Sequence, residues 1–234
     1  MYNTFNVIPL RPRVSLAPGS LVDLGFYLGE NMGKVFYFID GFNLYHALDD
    51  VKALHKYKWL DMMKLAGLYT GTKDQVAGVY FFTSFAHWDS GKVERHRKLI
   101  KAVELTGVKT VYGKFKRKDR FCTLCKKKYY TFEEKQTDIN MAIHLFRLAM
   151  EGEYDTAVLI TGDSDQLATI EAIRKTFPAK RVGVVIPIGR CAEELKNVCD
   201  FHIRMKKEHL RSCRFDDKIP LGNGEFLECP PSWK

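Results

Sequence analysis

Short apolar, β-branched runs recur along the chain at residues 35–40, 76–82, 108–112, 157–161 and 181–186. Runs such as VFYFID and AVLIT lack the polar alternation of a half-exposed strand, so they predict strands buried on both faces. Segments with helical spacing lie between them. They cover residues 62–69 behind Asp61, 91–106 closed by Gly107, 138–151, 165–177 stopped before Pro178, and a short 191–196. Residues 41–59 read as helix or loop, and 201–204 as a short sixth strand. Strands alternating with helices predict an α/β fold, a parallel sheet covered by helices on both faces.

With 234 residues, 46% of them hydrophobic, the chain suffices for one sizeable domain. The domain is expected over 34–205. Residues 1–33 read as an irregular N-terminal extension rich in Pro and Gly, with Met32 as the expected natural start. Residues 206–234 read as a C-terminal tail. In that tail, Gly222-Asn223-Gly224 signals a small hairpin that would pack Phe226 or Trp233. No apolar run approaches the ~20 residues that span a bilayer. Pro and Arg interrupt the first twenty residues where a signal peptide would be apolar. A cytoplasmic protein without membrane contact is expected. Of six cysteines only Cys122 and Cys125 are close-spaced, which argues against a disulfide framework.

Candidate chemistry sits at strand ends. Asp40 ends the first apolar run beside Gly41, and Asp163 and Asp165 follow the fourth in ITGDSDQ. Carboxyl ends of buried strands are where open α/β sheets form their sites. Asp138, in the first turn of a largely apolar helix, can point into the same crevice. Carboxylates crowded there repel one another unless a cation lies between them, and hard oxygen ligands suit Mg²⁺ or Mn²⁺. Each acid also has a purely structural reading. Asp40 can close a turn with Gly41, Asp138 can favour a helix N-terminus, and Asp165 can cap the helix after it. Thr161 and Ser164 read as local turn residues.

The segments FIDGFNLYHAL, EEKQTDINMAIHLF and DTAVLITGDSDQLATI, in this order, resemble the NYN family, a PIN-like branch of metal-dependent nucleases that includes LabA-like proteins. The resemblance spans about residues 34–205, and its weight rests on Lys135/Asp138 and GDSD at 162–165. It implies a three-layer α/β/α PIN-like (Rossmann-like) sheet with strand order near 3-2-1-4-5. It also implies that Asp40, Asp138, Asp163 and Asp165 surround Mg²⁺ or Mn²⁺, with Asn43 of the DGxN motif holding the site. A homodimer is a further expectation from it. His144 departs from the acid many relatives carry in that helix. It lies about 240° around the helix from Asp138 and is read as a non-ligand.

The formal net charge of +9 is clustered, which points to a polyanionic partner. Residues 113–130 read as an irregular basic insertion. Its Lys114, Lys116, Arg117, Lys118, Arg120, Lys126, Lys127 and Lys128 are candidates for nucleic-acid phosphates, with Phe115, Phe121, Tyr129 and Tyr130 interleaved or adjacent for stacking on unpaired bases. Arg95 and Lys98 add a second basic set. Cys122 and Cys125 form one CxxC knuckle, which is either half of a Zn²⁺ site needing about four ligands or an unmetallated turn. The leading function is a metal-dependent endoribonuclease acting through a metal-activated water, with RNA chosen by the resemblance. The alternative is a non-catalytic nucleic-acid-binding or regulatory protein on the same fold. A phosphohydrolase of the haloacid dehalogenase type is disfavoured because Phe42 stands where a second acid would be.

Overall fold

The run VFYFI within GKVFYFID is apolar throughout, so the segment is stable as a strand only where both faces are covered. It forms β1 (Gly33–Asp40), buried from Val35 onward, in a computed structural model that describes residues 32–222 and 224–234. The expected N-terminal extension falls outside the described residues, apart from its last two positions. The chain continues through α1 (Gly41–Asp49), a 3-10 turn (Lys52–Lys58), α2 (Met62–Tyr69), β2 (Asp74–Thr83), α3 (Ser90–Leu105) and β3 (Lys109–Tyr112). Then come β4 (Lys114–Phe121), β5 (Lys128–Lys135), α4 (Thr137–Met150) and β6 (Thr156–Ile160). A 3-10 turn (Ser164–Gln166) leads into α5 (Leu167–Thr176), followed by β7 (Arg181–Ile186), α6 (Glu193–Val198) and β8 (Phe201–Arg204). The chain closes with α7 (Lys207–Ser212), β9 (Lys218–Gly222) and β10 (Glu225–Glu228).

The central sheet has the order β3-β2-β1-β6-β7-β8, with every pairing parallel. In sheet order this is the expected 3-2-1-4-5 arrangement extended by the short sixth strand. The three-layer α/β/α architecture is that of a PIN-like fold. Side chains alternate across β1, so Val35, Tyr37 and Ile39 enter one core while Phe36 and Phe38 enter the other. The first core holds Leu44, Leu65 and Val103 from α1, α2 and α3. The second holds Met141 and Leu145 of α4, Ile170 of α5 and Leu195 of α6.

Three expectations need correction. The basic insertion is not irregular: β4 and β5 pair antiparallel in register from Lys114↔Lys135 to Phe121↔Lys128. An exposed two-stranded ribbon satisfies its backbone across the ladder and needs no buried face, so it can be densely charged. The helix after β6 does not start at Asp165. A 3-10 turn intervenes, capped by Asp163, whose side chain accepts the Asp165 N–H. The segment expected as a C-terminal tail is part of the first core, where Leu210, Cys213, Leu227, Cys229 and Trp233 are buried. Its β9–β10 hairpin forms around Gly222 and Gly224, both at positive φ. Phe226 remains 55% exposed while Trp233 is 5% exposed.

Candidate active site

The chain reverses its strand order between β1 and β6, which are neighbours in the sheet. Loops leaving the carboxyl ends of two such strands diverge and leave a crevice. Asp40 ends β1 at that point and is 5% exposed. Its Oδ1 accepts the Asn43 N–H at 2.9 Å, which caps α1. Its Oδ2 accepts the Thr161 hydroxyl at 2.9 Å. That hydroxyl in turn accepts the Asp163 N–H at 3.0 Å, so Thr161 is a bridge between the two acids and more than a turn residue. Asn43 Oδ1 accepts the Gly162 N–H at 2.9 Å and ties α1 to the β6 loop. Gly41 allows the turn after Asp40, because a Cβ there would lie 2.5 Å from the Phe82 carbonyl oxygen.

Asp138 enters from α4, where Gln166 Nε2 bonds its backbone carbonyl at 3.1 Å. Asp40, Asp138 and Asp163 all line one cavity of about 740 Å³, together with Asn43 and Glu134. Burial raises the Asp138 carboxyl to about 6, helped by the negative charges of Asp40, Glu134, Asp163 and Asp165. Burial also raises Asp40; hydrogen bonds from Asn43 and Thr161 oppose this, and the Asp163 charge adds to it. The acids therefore feel one another across the crevice. Asp165 is exposed and is not among the cavity's lining residues. Among the described residues, no three His, Cys, Asp or Glu side chains already stand in a metal-holding arrangement. The donors are nonetheless all hard oxygens. Gln166 is buried, bonds the Asp138 carbonyl through Nε2, and its Oε1 has no hydrogen-bond partner among the described residues. This set fits Mg²⁺ or Mn²⁺, which commonly retain waters and need few protein ligands.

Glu134 was missed in the sequence. It accepts the Thr137 N–H at 3.1 Å and bonds the Thr137 hydroxyl and Ser84, fastening β5 to the start of α4. The available signal was its place three residues before Thr137, the spacing at which a side chain meets a helix N-terminus. His144 lies against the rings of Tyr80 and Phe82, with Nδ1 2.7 Å from the Asn140 carbonyl. It is a packing residue, outside the cavity.

Of the candidate cations, Arg95 lines the cavity and Lys98 does not; Lys98 pairs with Glu94 at 3.6 Å. Lys114, Lys116, Arg117, Lys118 and Arg120 lie on β4. Lys126 and Lys127 lie in the hairpin loop, and Lys128 opens β5. Glu133 pairs with Lys118 and Arg120, and Arg117 pairs with Asp119, which leaves Lys114 and Lys116 of β4, with Lys126, Lys127 and Lys128, outside any ion pair among the described residues. Lys92, on the same helix as Arg95, also lines the cavity, as does Arg190, which carried no signal in the sequence. Cys122 and Cys125 occupy the hairpin loop, where the Cys125 N–H points at Cys122 Sγ over 3.5 Å and lowers that thiol's pKa. Among the described residues no third ligand joins them.

The NYN domain model matches residues 34–206. The chain belongs to the NYN-domain family. NYN domains are PIN-like and are generally nucleases. A crystal structure of a protein of unknown function from Vibrio parahaemolyticus RIMD 2210633 superposes with a TM-score of 0.55 at 15% identity, covering 76% of this chain and 95% of that one. That likeness concerns the fold. A 106-residue stretch is 30% identical to 6-hydroxy-3-succinoylpyridine 3-monooxygenase HspA of Pseudomonas putida (strain DSM 28022 / S16), covering 43% of this chain. The chain spans 33% of the length of that relative. Among the described residues of this NYN domain, no helix is long and apolar enough to cross a membrane.

Proposed function

We propose that this NYN domain is a metal-dependent endoribonuclease that hydrolyses RNA phosphodiester bonds in the crevice between β1 and β6. The observation that supports this best is the convergence of Asp40, Asp138, Asp163 and Glu134 on one cavity, where Asp40 and Asp138 are held above the ordinary carboxylate range. Asp40, Asp138 and Asp163 would hold Mg²⁺ or Mn²⁺, with Asp165 near the rim. The bound ion would supply positive charge against the phosphate and make water more acidic.

The chain's own residues do the rest. Thr161 orients the Asp40 carboxylate, and Asn43 fixes the Gly162 loop that carries Asp163. Lys92 and Arg95 at the cavity wall offset the charge of a phosphate drawn toward the acids. Lys114 and Lys116 on the hairpin hold flanking phosphates. RNA is chosen over DNA on family grounds, and a single strand bends into a narrow crevice more readily than a duplex. The part-matched monooxygenase does not set the reaction, since only a third of its length is represented here.

The test is incubation of the purified protein with end-labelled single-stranded RNA and Mg²⁺ or Mn²⁺. Cleavage leaving 5′-phosphate and 3′-hydroxyl ends is expected, with loss under chelation and in Asp163→Asn. Tight binding without cleavage in either metal would instead support a non-catalytic nucleic-acid-binding role on the same fold.

A further inference from the structure

The crevice has a second end. Trp88, in the loop between β2 and α3, lies parallel on Phe132 of β5 with ring centroids 3.8 Å apart and planes 1° apart. Phe115 of β4 meets Trp88 edge-on at 4.7 Å and Phe42 of α1 edge-on at 5.3 Å. These four rings line the same cavity as Asp40, Asp138 and Asp163. Trp88 is nevertheless 45% exposed. Phe132 already covers one face of the indole, and the part left open beside the acidic crevice can take a further ring. The aromatic path continues outward: Tyr130 meets Phe132 edge-on at 5.7 Å, and the Arg117 guanidinium covers Tyr130 at 4.4 Å.

We propose that Trp88, walled by Phe42, Phe115 and Phe132, is a stacking site for one unpaired nucleobase of single-stranded RNA. The substrate class rests on the nuclease reading. The base occupies the aromatic end, and the backbone beside it passes Lys92 and Arg95 toward the carboxylates. Stacking offers no donor or acceptor code, so this site tolerates any base. It rejects duplexes, because a paired base must leave its own stack to enter. The hairpin thereby selects strandedness as well as adding charge, since two of the four rings are carried on β4 and β5.

The experiment measures binding of a short fluorescein-labelled single-stranded RNA by anisotropy in EDTA, where no cutting interferes. Trp88→Ala is expected to weaken binding about tenfold or more, and Trp88→Phe to restore most of it. RNA should quench tryptophan emission in the wild type and not in Trp88→Ala. A duplex should bind both proteins alike, and an abasic single strand should not distinguish them. Equal single-strand affinity for wild type and Trp88→Ala overturns the proposal, as does an equal loss for duplex and abasic RNA. It is also overturned if a free heteroaromatic acid quenches Trp88 while RNA does not, which would make the aromatic end a small-molecule site. If Trp88→Ala misfolds, the comparison of abasic with normal RNA on the wild type decides. A protein that shows Trp88-dependent binding yet never cleaves with Mg²⁺ or Mn²⁺ loses the nuclease reading and keeps this one. Cleavage without Trp88 dependence does the reverse.

Discussion

Replacing Asp138 by asparagine removes a charge that the fold holds at a cost. Its carboxyl rises from an ordinary 3.8 to about 6, first through burial and then through the neighbouring acids. A rise of that size corresponds to about 3 kcal/mol at full weight. The side chain is only half-buried, so solvent screening leaves about 1 kcal/mol. The attraction of a carboxylate to the α4 N-terminus acts the other way, at about 0.5 kcal/mol. The sign follows from proton linkage. The folded state binds the Asp138 proton more tightly than the unfolded chain, so stability falls as pH rises from about 4 to about 6 and stays reduced above that. Metal-free Asp138→Asn should therefore melt about 2 °C higher than the wild type at pH 7.5, and the gain should vanish near pH 4. Saturating Mg²⁺ should raise the wild-type melting temperature more than that of the variant. Thermal unfolding by circular dichroism, with and without EDTA, is the assay. A variant that melts lower at pH 7.5 without metal, or that keeps the same gain at pH 4, would refute the reasoning.

Further outcomes follow from single contacts. Asn43→Ala leaves the Gly162 N–H without its acceptor and should cost about 1–3 kcal/mol in urea unfolding; an unchanged midpoint would remove the clamp from the account. Gly41→Ala forces a Cβ against the Phe82 carbonyl and should cost about 1–3 kcal/mol, read as a lower melting temperature. Trp233→Ala empties a core position that is 5% exposed and should cost about 3 kcal/mol; a neutral result would mean the C-terminal segment is dispensable for the domain. Lys114→Glu combined with Lys116→Glu should weaken RNA binding and flatten the slope of log affinity against log salt by about 1.4, measured across a salt titration.

The middle of the central sheet was legible because β1, β6 and β7 are almost continuous apolar runs, and doubly covered strands need that composition. Asp40 and Asp163 stood out because a charged residue ending such a run has few structural excuses. The hairpin was hidden for the opposite reason. In KFKRKDRF most positions are charged and only Phe115 is even partly buried, so no apolar period runs along the strand. The C-terminal segment was misread because its core residues Leu210, Cys213, Leu227, Cys229 and Trp233 are scattered among polar and Pro residues, each anchored by tertiary contact and none by local pattern. Trp88 gives no local signal because its ring partners Phe115 and Phe132 arrive from two other elements, and Phe42 reaches it only through Phe115. Glu134 gives little local signal because its bond with Ser84 joins residues 50 apart in the chain.

Thr161 and Gly162 reach back across about 120 residues to steady Asp40 and Asn43. During synthesis the amino-terminal strands emerge first, and until β6 follows them Asp40 lacks the hydroxyl that orients it and Asn43 lacks the amide it holds. A nascent chain is surrounded by the ribosome's own RNA throughout that interval. On the proposed nuclease reading, the half-made polypeptide has no complete acidic site, and the delay between the first and fourth sheet strands keeps that site unfinished while the chain lies near that RNA.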